Sequence, residues 1–219
     1  MPDYDPPVVP VKKGRGTKIP IRVFTRQLEV ELVELAEQCQ LCTLAFAELE
    51  QFARKIPPIS DEDRRNWNRM VWSKVQAVLA ASSAISRLLW PNPDSVRGAD
   101  AVARTVQRGR MLRGYLSLGS SPPLYHRDVR NAFEHVDERL DDWVPAFAGE
   151  IPLGWAISTL PPEEEDSRGK DAFRYVNLRT MDVRVAGARC NLERLADMAG
   201  KIRARIPLDT GVIFEKVEP

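Results

Sequence analysis

A chain of 219 residues can bury one generous core, and a composition of 43% hydrophobic and 29% charged residues belongs to a folded globular protein rather than a fibrous or disordered one. Its formal net charge of +1 creates no strong attractive field, so any nucleic-acid binding must rest on a local patch. No apolar run reaches the ~18–20 residues of a membrane span, prolines and charges stand where a signal peptide would be apolar, and three cysteines make no disulfide framework, so the expected compartment is a reducing cytosol.

Residues 1–21 combine prolines and glycines with the basic cluster Lys12, Lys13, Arg15 and Lys18 and read as an extended arm. From Thr25 to Ile56 the apolar residues Leu28, Leu32, Leu35, Cys39, Cys42, Phe46, Leu49, Ala53 and Ile56 recur in steps of four and three, which predicts one long amphipathic helix. Pro57 and Pro58 end it. Ser60 and Asp63 have the spacing of a capping box and open a second helix, whose stripe is Trp67, Val71, Val75, Val78, Ser82, Ile85 and Leu89. Pro91 and Pro93 stop that helix. A third is predicted from Ser95 to Leu118, weakened by Gly98, Gly109 and Gly114, each costing up to ~1 kcal/mol relative to alanine. The loop GSSPP at 119–123 closes it. The stretch DVRNAFEHVDERLDDW at 128–143 supplies the fourth, with Val129, Phe133, Val136, Leu140 and Trp143 as its inner stripe. Four helices with short connections predict a mainly α fold: an antiparallel four-helix bundle over residues 22–148.

Beyond Pro145 the pattern predicts a small α/β appendage, residues 149–219. Segments 154–160, 173–176 and 181–185 read as short strands, the last two joined by a turn at NLRT (177–180), and the charged run PPEEEDSRGKD (161–171) reads as an exposed loop. Asn191 can cap a last helix through Ile206, with Leu192, Leu195, Ala199 and Ile202 facing inward. There is no repeat at a solenoid period.

The fourth helix carries the residues that invite chemistry. At ~100° per residue, Asn131, Glu134, His135, Glu138 and Asp142 fall opposite its apolar stripe, with Arg130 at the edge nearer the core. The Cβ atoms of Arg130 and His135 would be about 10 Å apart, a span in which a long arginine and an imidazole converge on one phosphate. Asn131 precedes His135 by one turn and can fix the ring's orientation or tautomer. A guanidinium is always charged and matches phosphate oxygens, whereas histidine titrates near neutrality and can move a proton. RNA brings its own nucleophile, the 2′-hydroxyl, so this set requires no metal or cofactor. The competing reading is a solvated charge lattice, built on the Arg130–Glu134 and Glu134–Glu138 spacings with Arg139 beside His135.

The stretch Arg130-Asn131-x-x-x-His135 resembles the Arg-x4-His motif of the HEPN superfamily, where a polar residue commonly follows the arginine and the motif opens the last core helix of an all-α bundle. The resemblance covers residues 22–145. It implies a metal-independent endoribonuclease of the toxin or antiviral-defence type, acting as a homodimer whose motif helices face each other, with an antitoxin protein as a possible partner. It further implies that Arg130 holds the scissile phosphate, His135 transfers protons and Asn131 orients. The superfamily also contains members that bind nucleotides or proteins without catalysis, and a non-catalytic module of that kind, or a purely structural interaction protein, is the alternative.

Other features are weighed against packing. Cys39-Gln-Leu-Cys42 has the spelling of a redox or zinc site, yet both cysteines fall on the apolar stripe of the first helix and no second pair completes a zinc site. In the third helix Arg97, Arg104 and Arg108 share a face and form a candidate track for an RNA backbone, with a solvated face as the alternative. His126 is either a helix-start residue or a secondary phosphate contact. The five tryptophans, Trp67, Trp72, Trp90, Trp143 and Trp155, are expected to be mostly core. Glu-x-x-His pairs, glycine-rich phosphate loops and nucleophile elbows are absent from the sequence.

Overall fold

The computed structural model describes residues 26–93, 97–119, 124, 128, 131, 135–143, 154–161 and 172–207; the basic arm 1–21 and all of the charged run 161–171 except Pro161 lie outside them. Two long helices form the frame, α1 (Arg26–Ala53) and α2 (Asp61–Leu89). The start of α2 follows its sequence signal: the Ser60 hydroxyl accepts the Asp63 amide at 3.2 Å and donates to the Asp63 carboxylate at 2.7 Å. Asp61, Glu62 and Asp63 place negative charge at the positive end of the helix dipole. Every residue of the predicted α2 stripe is buried, as are Leu32, Leu35, Cys39, Cys42 and Leu49 of α1. Ile56 departs from the expectation and is 90% exposed, because α1 ends at Ala53 and the helical phase ends with it. Small residues let the two helices approach: the Cys42 thiol lies 3.9 Å from the Val78 carbonyl. Lys74 of α2 pairs with Glu48 of α1 at the rim.

Helix α3 (Ala99–Tyr115) is shorter than predicted at both ends and lies along α2. Gly98, its N-cap, has φ of 91°, a conformation that favours glycine. Gly109 is buried where a Cβ would come 2.6 Å from Pro91 Cδ and 2.8 Å from the Leu89 carbonyl, so the glycine that weakens α3 as a helix is what lets it meet the end of α2. In the predicted fourth helix, Asp128 and Asn131 are helical and His135 occupies a turn leading into α4 (Val136–Trp143). Leu140, assigned to the inner stripe, is 41% exposed; Val129 and Phe133 of that stripe lie outside the described residues.

Among the described residues four strands follow: β1 (Trp155–Ser158), β2 (Arg174–Asn177), β3 (Asp182–Val185) and β4 (Ala188–Asn191), in the order β1-β2-β3-β4. β1 is parallel to β2, and the rest is an antiparallel meander. The strand β4, not expected from the sequence, is produced by a two-residue hairpin loop in which Ala186 (φ 48°) and Gly187 (φ 82°) both take the left-handed conformation of a type I′ turn. Asn177 ends β2 and organises the turn that follows it: its Oδ1 accepts the amides of Arg179 (2.9 Å) and Thr180 (3.2 Å), while its Nδ2 donates to the Leu160 carbonyl (3.0 Å). Helix α5 (Leu192–Arg203) starts where expected, with the Asn191 side chain accepting the Arg194 amide at 3.0 Å.

The helix that packs against both α1 and α2 is α5, so the core partner of the long pair comes from the C-terminal unit. A Cβ at Gly200 of α5 would come 3.8 Å from the Thr43 methyl of α1, an ordinary contact distance. Leu192, Leu195, Ala199 and Ile202 are buried as predicted, and one core joins them to α1, α2 and to Val176, Val183 and Val185 of the sheet. Of the tryptophans, Trp67, Trp72 and Trp90 are buried and Trp155 is 44% exposed. Among the described residues no helix is long and apolar enough to cross a membrane.

Candidate functional site

The His135 amide donates to the Asn131 carbonyl at 2.9 Å, and the Arg139 amide donates to the His135 carbonyl at 3.1 Å, so helical spacing is kept on both sides of the turn. Asn131 and His135 therefore lie one turn apart, and both are exposed. The imidazole Nδ1 lies 3.6 Å from a carboxylate oxygen of Glu138, with the two side chains 58% and 75% exposed. That contact exceeds hydrogen-bond length and is screened by water, so it contributes little to stability. It leaves Nε2 as the ring nitrogen that does not face the carboxylate. Arg130, His126 and Glu134, the other residues assigned to this site or beside it, lie outside the described residues.

The expected arginine track is divided by the structure. Arg97 precedes α3 and Arg104 lies on it, both exposed. Arg108 instead donates to the Arg87 carbonyl at 3.3 Å, near the end of α2. Arg113 donates to the Leu89 carbonyl, and partial burial holds its pKa below the usual arginine value, with Arg110 adding in the same direction. These two guanidiniums satisfy carbonyls that the last turn of α2 leaves open. Arg205, just beyond α5, does the same for α3, reaching the Leu116 and Ser117 carbonyls at 2.9 and 3.1 Å.

A third group of basic residues escaped sequence reasoning. The register sets Tyr175, Arg184 and Arg189 directly across from one another on β2, β3 and β4, and two residues along sets Asn177, Asp182 and Asn191 in a parallel row. Period-two alternation places both rows on one sheet face, opposite the buried Val176 and Val183. A cleft of about 760 Å³ opens on that face, lined by both rows together with Thr180 and Arg194. The Arg184 guanidinium stacks 4.3 Å above the Tyr175 ring. Asn191 Nδ2 donates to the Thr180 carbonyl at 2.8 Å and to the Asp182 carboxylate at 2.9 Å. The signal was present in Val183-Arg184-Val185, an alternation with a polar outer position, and in the Ala186-Gly187 turn, whose recognition would have extended the sheet to Arg189.

No protein-family model, curated protein or solved structure matches the chain. The site therefore stands on its own residues.

Cys39 and Cys42 behave as core. Both are fully buried, and desolvation pushes both thiols up to about 12, with the neighbouring Cys42 adding to the effect on Cys39. A thiol so protonated is a poor nucleophile at neutral pH. Among the described residues no cluster of three or more histidine, cysteine, aspartate or glutamate side chains converges as metal ligands would.

Proposed function

We propose that the protein is a HEPN-like, metal-independent endoribonuclease of the toxin or defence-effector type, in which two copies bring their motif helices together around one RNA phosphodiester. The 2′-hydroxyl oxygen attacks the adjacent phosphorus while His135 Nε2 takes its proton. The P–O5′ bond breaks, the 5′-oxygen receives a proton from an imidazolium, and a 2′,3′-cyclic phosphate remains. Arg130 neutralises the phosphoryl oxygens as charge builds in the transition state, and Asn131 orients the imidazole.

The observation that carries this reading is the exposed His135 held one helical turn after Asn131, with Nδ1 toward Glu138 and Nε2 left for a substrate. The exposed Arg104 is a further cation, carried on α3. The test is cleavage of a mixed RNA in excess chelator by the wild-type protein, Arg130→Ala and His135→Ala. Loss of a proton-transfer group lowers the rate about 10²–10⁴-fold, and the wild-type products should end in a cyclic phosphate. Equal behaviour of all three proteins would remove the enzyme and leave the non-catalytic binding module.

A further inference from the structure

The arginine-lined cleft on the outer face of the C-terminal sheet belongs to no part of the reading above. Its described walls carry three guanidiniums, Arg184, Arg189 and Arg194, against one carboxylate, Asp182, which Asn191 already holds. Two features of this arrangement run against the interests of the fold. Arg184 and Arg189 face each other across adjacent strands, and like charges in directly opposed positions destabilise a sheet. Arg194 sits in the first turn of α5, where a cation meets the positive end of the helix dipole, and its neighbour Glu193 does not line the cleft. Both violations point into the same concavity. Departures from local rules that converge on one cleft mark a site kept for binding rather than for stability.

We infer that this cleft binds a phosphorylated small molecule of nucleotide size, its phosphate groups gripped by Arg189 and Arg194 beside the stacked Arg184. Guanidinium forks match phosphate oxygens in pairs, and the anion neutralises the exposed Arg189 and Arg194 as it enters. The cleft's volume of about 760 Å³ falls in the range of small-ligand pockets and suits a mononucleotide or a short polyphosphate. Stacking on Tyr175 sets Arg184 in place before the ligand arrives. Asn191 joins the two elements that carry the grip, since its side chain caps α5 through the Arg194 amide while its backbone ends β4. Arg189 and Arg194 are exposed, and neither makes an ion pair among the described residues.

Isothermal titration of the full chain with ATP, tripolyphosphate and citrate tests this, alongside Arg189→Gln, Arg194→Gln and, as a control at the far end of α5, Lys201→Gln. Saturable one-to-one binding of ATP or tripolyphosphate is expected, weakened tenfold or more by either cleft substitution and unchanged by the control. Binding of both ligands with equal affinity assigns recognition to the phosphates alone; binding of ATP only assigns part of it to the nucleoside. Because the substitutions relieve repulsion, both variants should melt no lower than wild type, which separates lost binding from lost folding. The inference is overturned by absent binding of both phosphate ligands, by binding that ignores the two arginines, by citrate competing equally, or by a single-stranded RNA oligomer occupying the cleft more tightly than ATP. An inactive wild type in the RNA assay would leave it standing, since none of these residues belongs to the motif helix.

Discussion

A thiol inside a helix pair is a proton reservoir that opens only in strong base. Cys39 and Cys42 ionise near 9.0 in water but near 12 in the folded chain, because burial disfavours the thiolate. The folded-state value is the higher one, so the contribution is whole below pH 9 and is lost as pH rises from 9 toward 12, where the unfolded chain has released protons that the native state still holds. The slope is about 1.4 kcal/mol per pH unit for each thiol. Urea midpoints measured from pH 8 to 11 should therefore fall more steeply for the wild type than for a Cys39→Ala/Cys42→Ala chain, although the latter starts lower because of the cavities it creates; parallel curves would show that the thiols are not the cause. The burial of this pair was legible in the sequence, because the apolar period assigned both positions to the seam. The roles of Arg108, Arg113 and Arg205 were not. Each closes a carbonyl on an element distant in sequence, and no local pattern distinguishes such an arginine from a solvated one.

At the level of elements, local propensity and tertiary contact pull Gly109 in opposite directions. In an isolated α3 segment the change Gly109→Ala should raise helicity, since alanine gains about 1 kcal/mol over glycine in a helix. In the whole protein the same methyl would strike Pro91 Cδ and the Leu89 carbonyl, neither of which is the end of a flexible side chain. Overpacking of this kind costs about 1–3 kcal/mol. Circular dichroism of a peptide spanning 97–116 and denaturation of the full chain should report opposite signs, and a stabilised full-length variant would contradict the close approach. The same tension explains which elements could be read. The long periods of α1 and α2, the Ser60 cap and the Asn191 cap are local and were visible, whereas β4 depends on the left-handed Ala186, an unusual occupant of such a turn. The exposure of Leu140 escaped for a related reason: periodicity identifies a stripe on a short helix without revealing whether another element covers it.

For the molecule as a whole, the unresolved variable in the sequence was which helices share a core, because amphipathic stripes state that a face is apolar and say nothing of its partner. A four-helix unit ending near residue 148 satisfies the stripes as well as the observed packing does. In the structure, α5 lies against both α1 and α2, bringing Leu192, Leu195, Ile202 and the following Ile206 into their core. Burying those four side chains stabilises the fold by roughly 6–12 kcal/mol at about 1.5–3 kcal/mol each. That is comparable to the whole stability of a domain, about 5–15 kcal/mol. A chain ending at residue 150 would leave the corresponding apolar faces of α1 and α2 open to water. It should lose the cooperative urea transition and bind a hydrophobic dye, while the full chain unfolds in one step reported equally by far-ultraviolet dichroism and by fluorescence of the buried tryptophans. A sharp, dye-free transition in the shortened chain would mean that its helices close on themselves, as a minimal HEPN bundle does. The pairing of α5 with α1 and α2 would then be a docking between separately stable units rather than the centre of a single core.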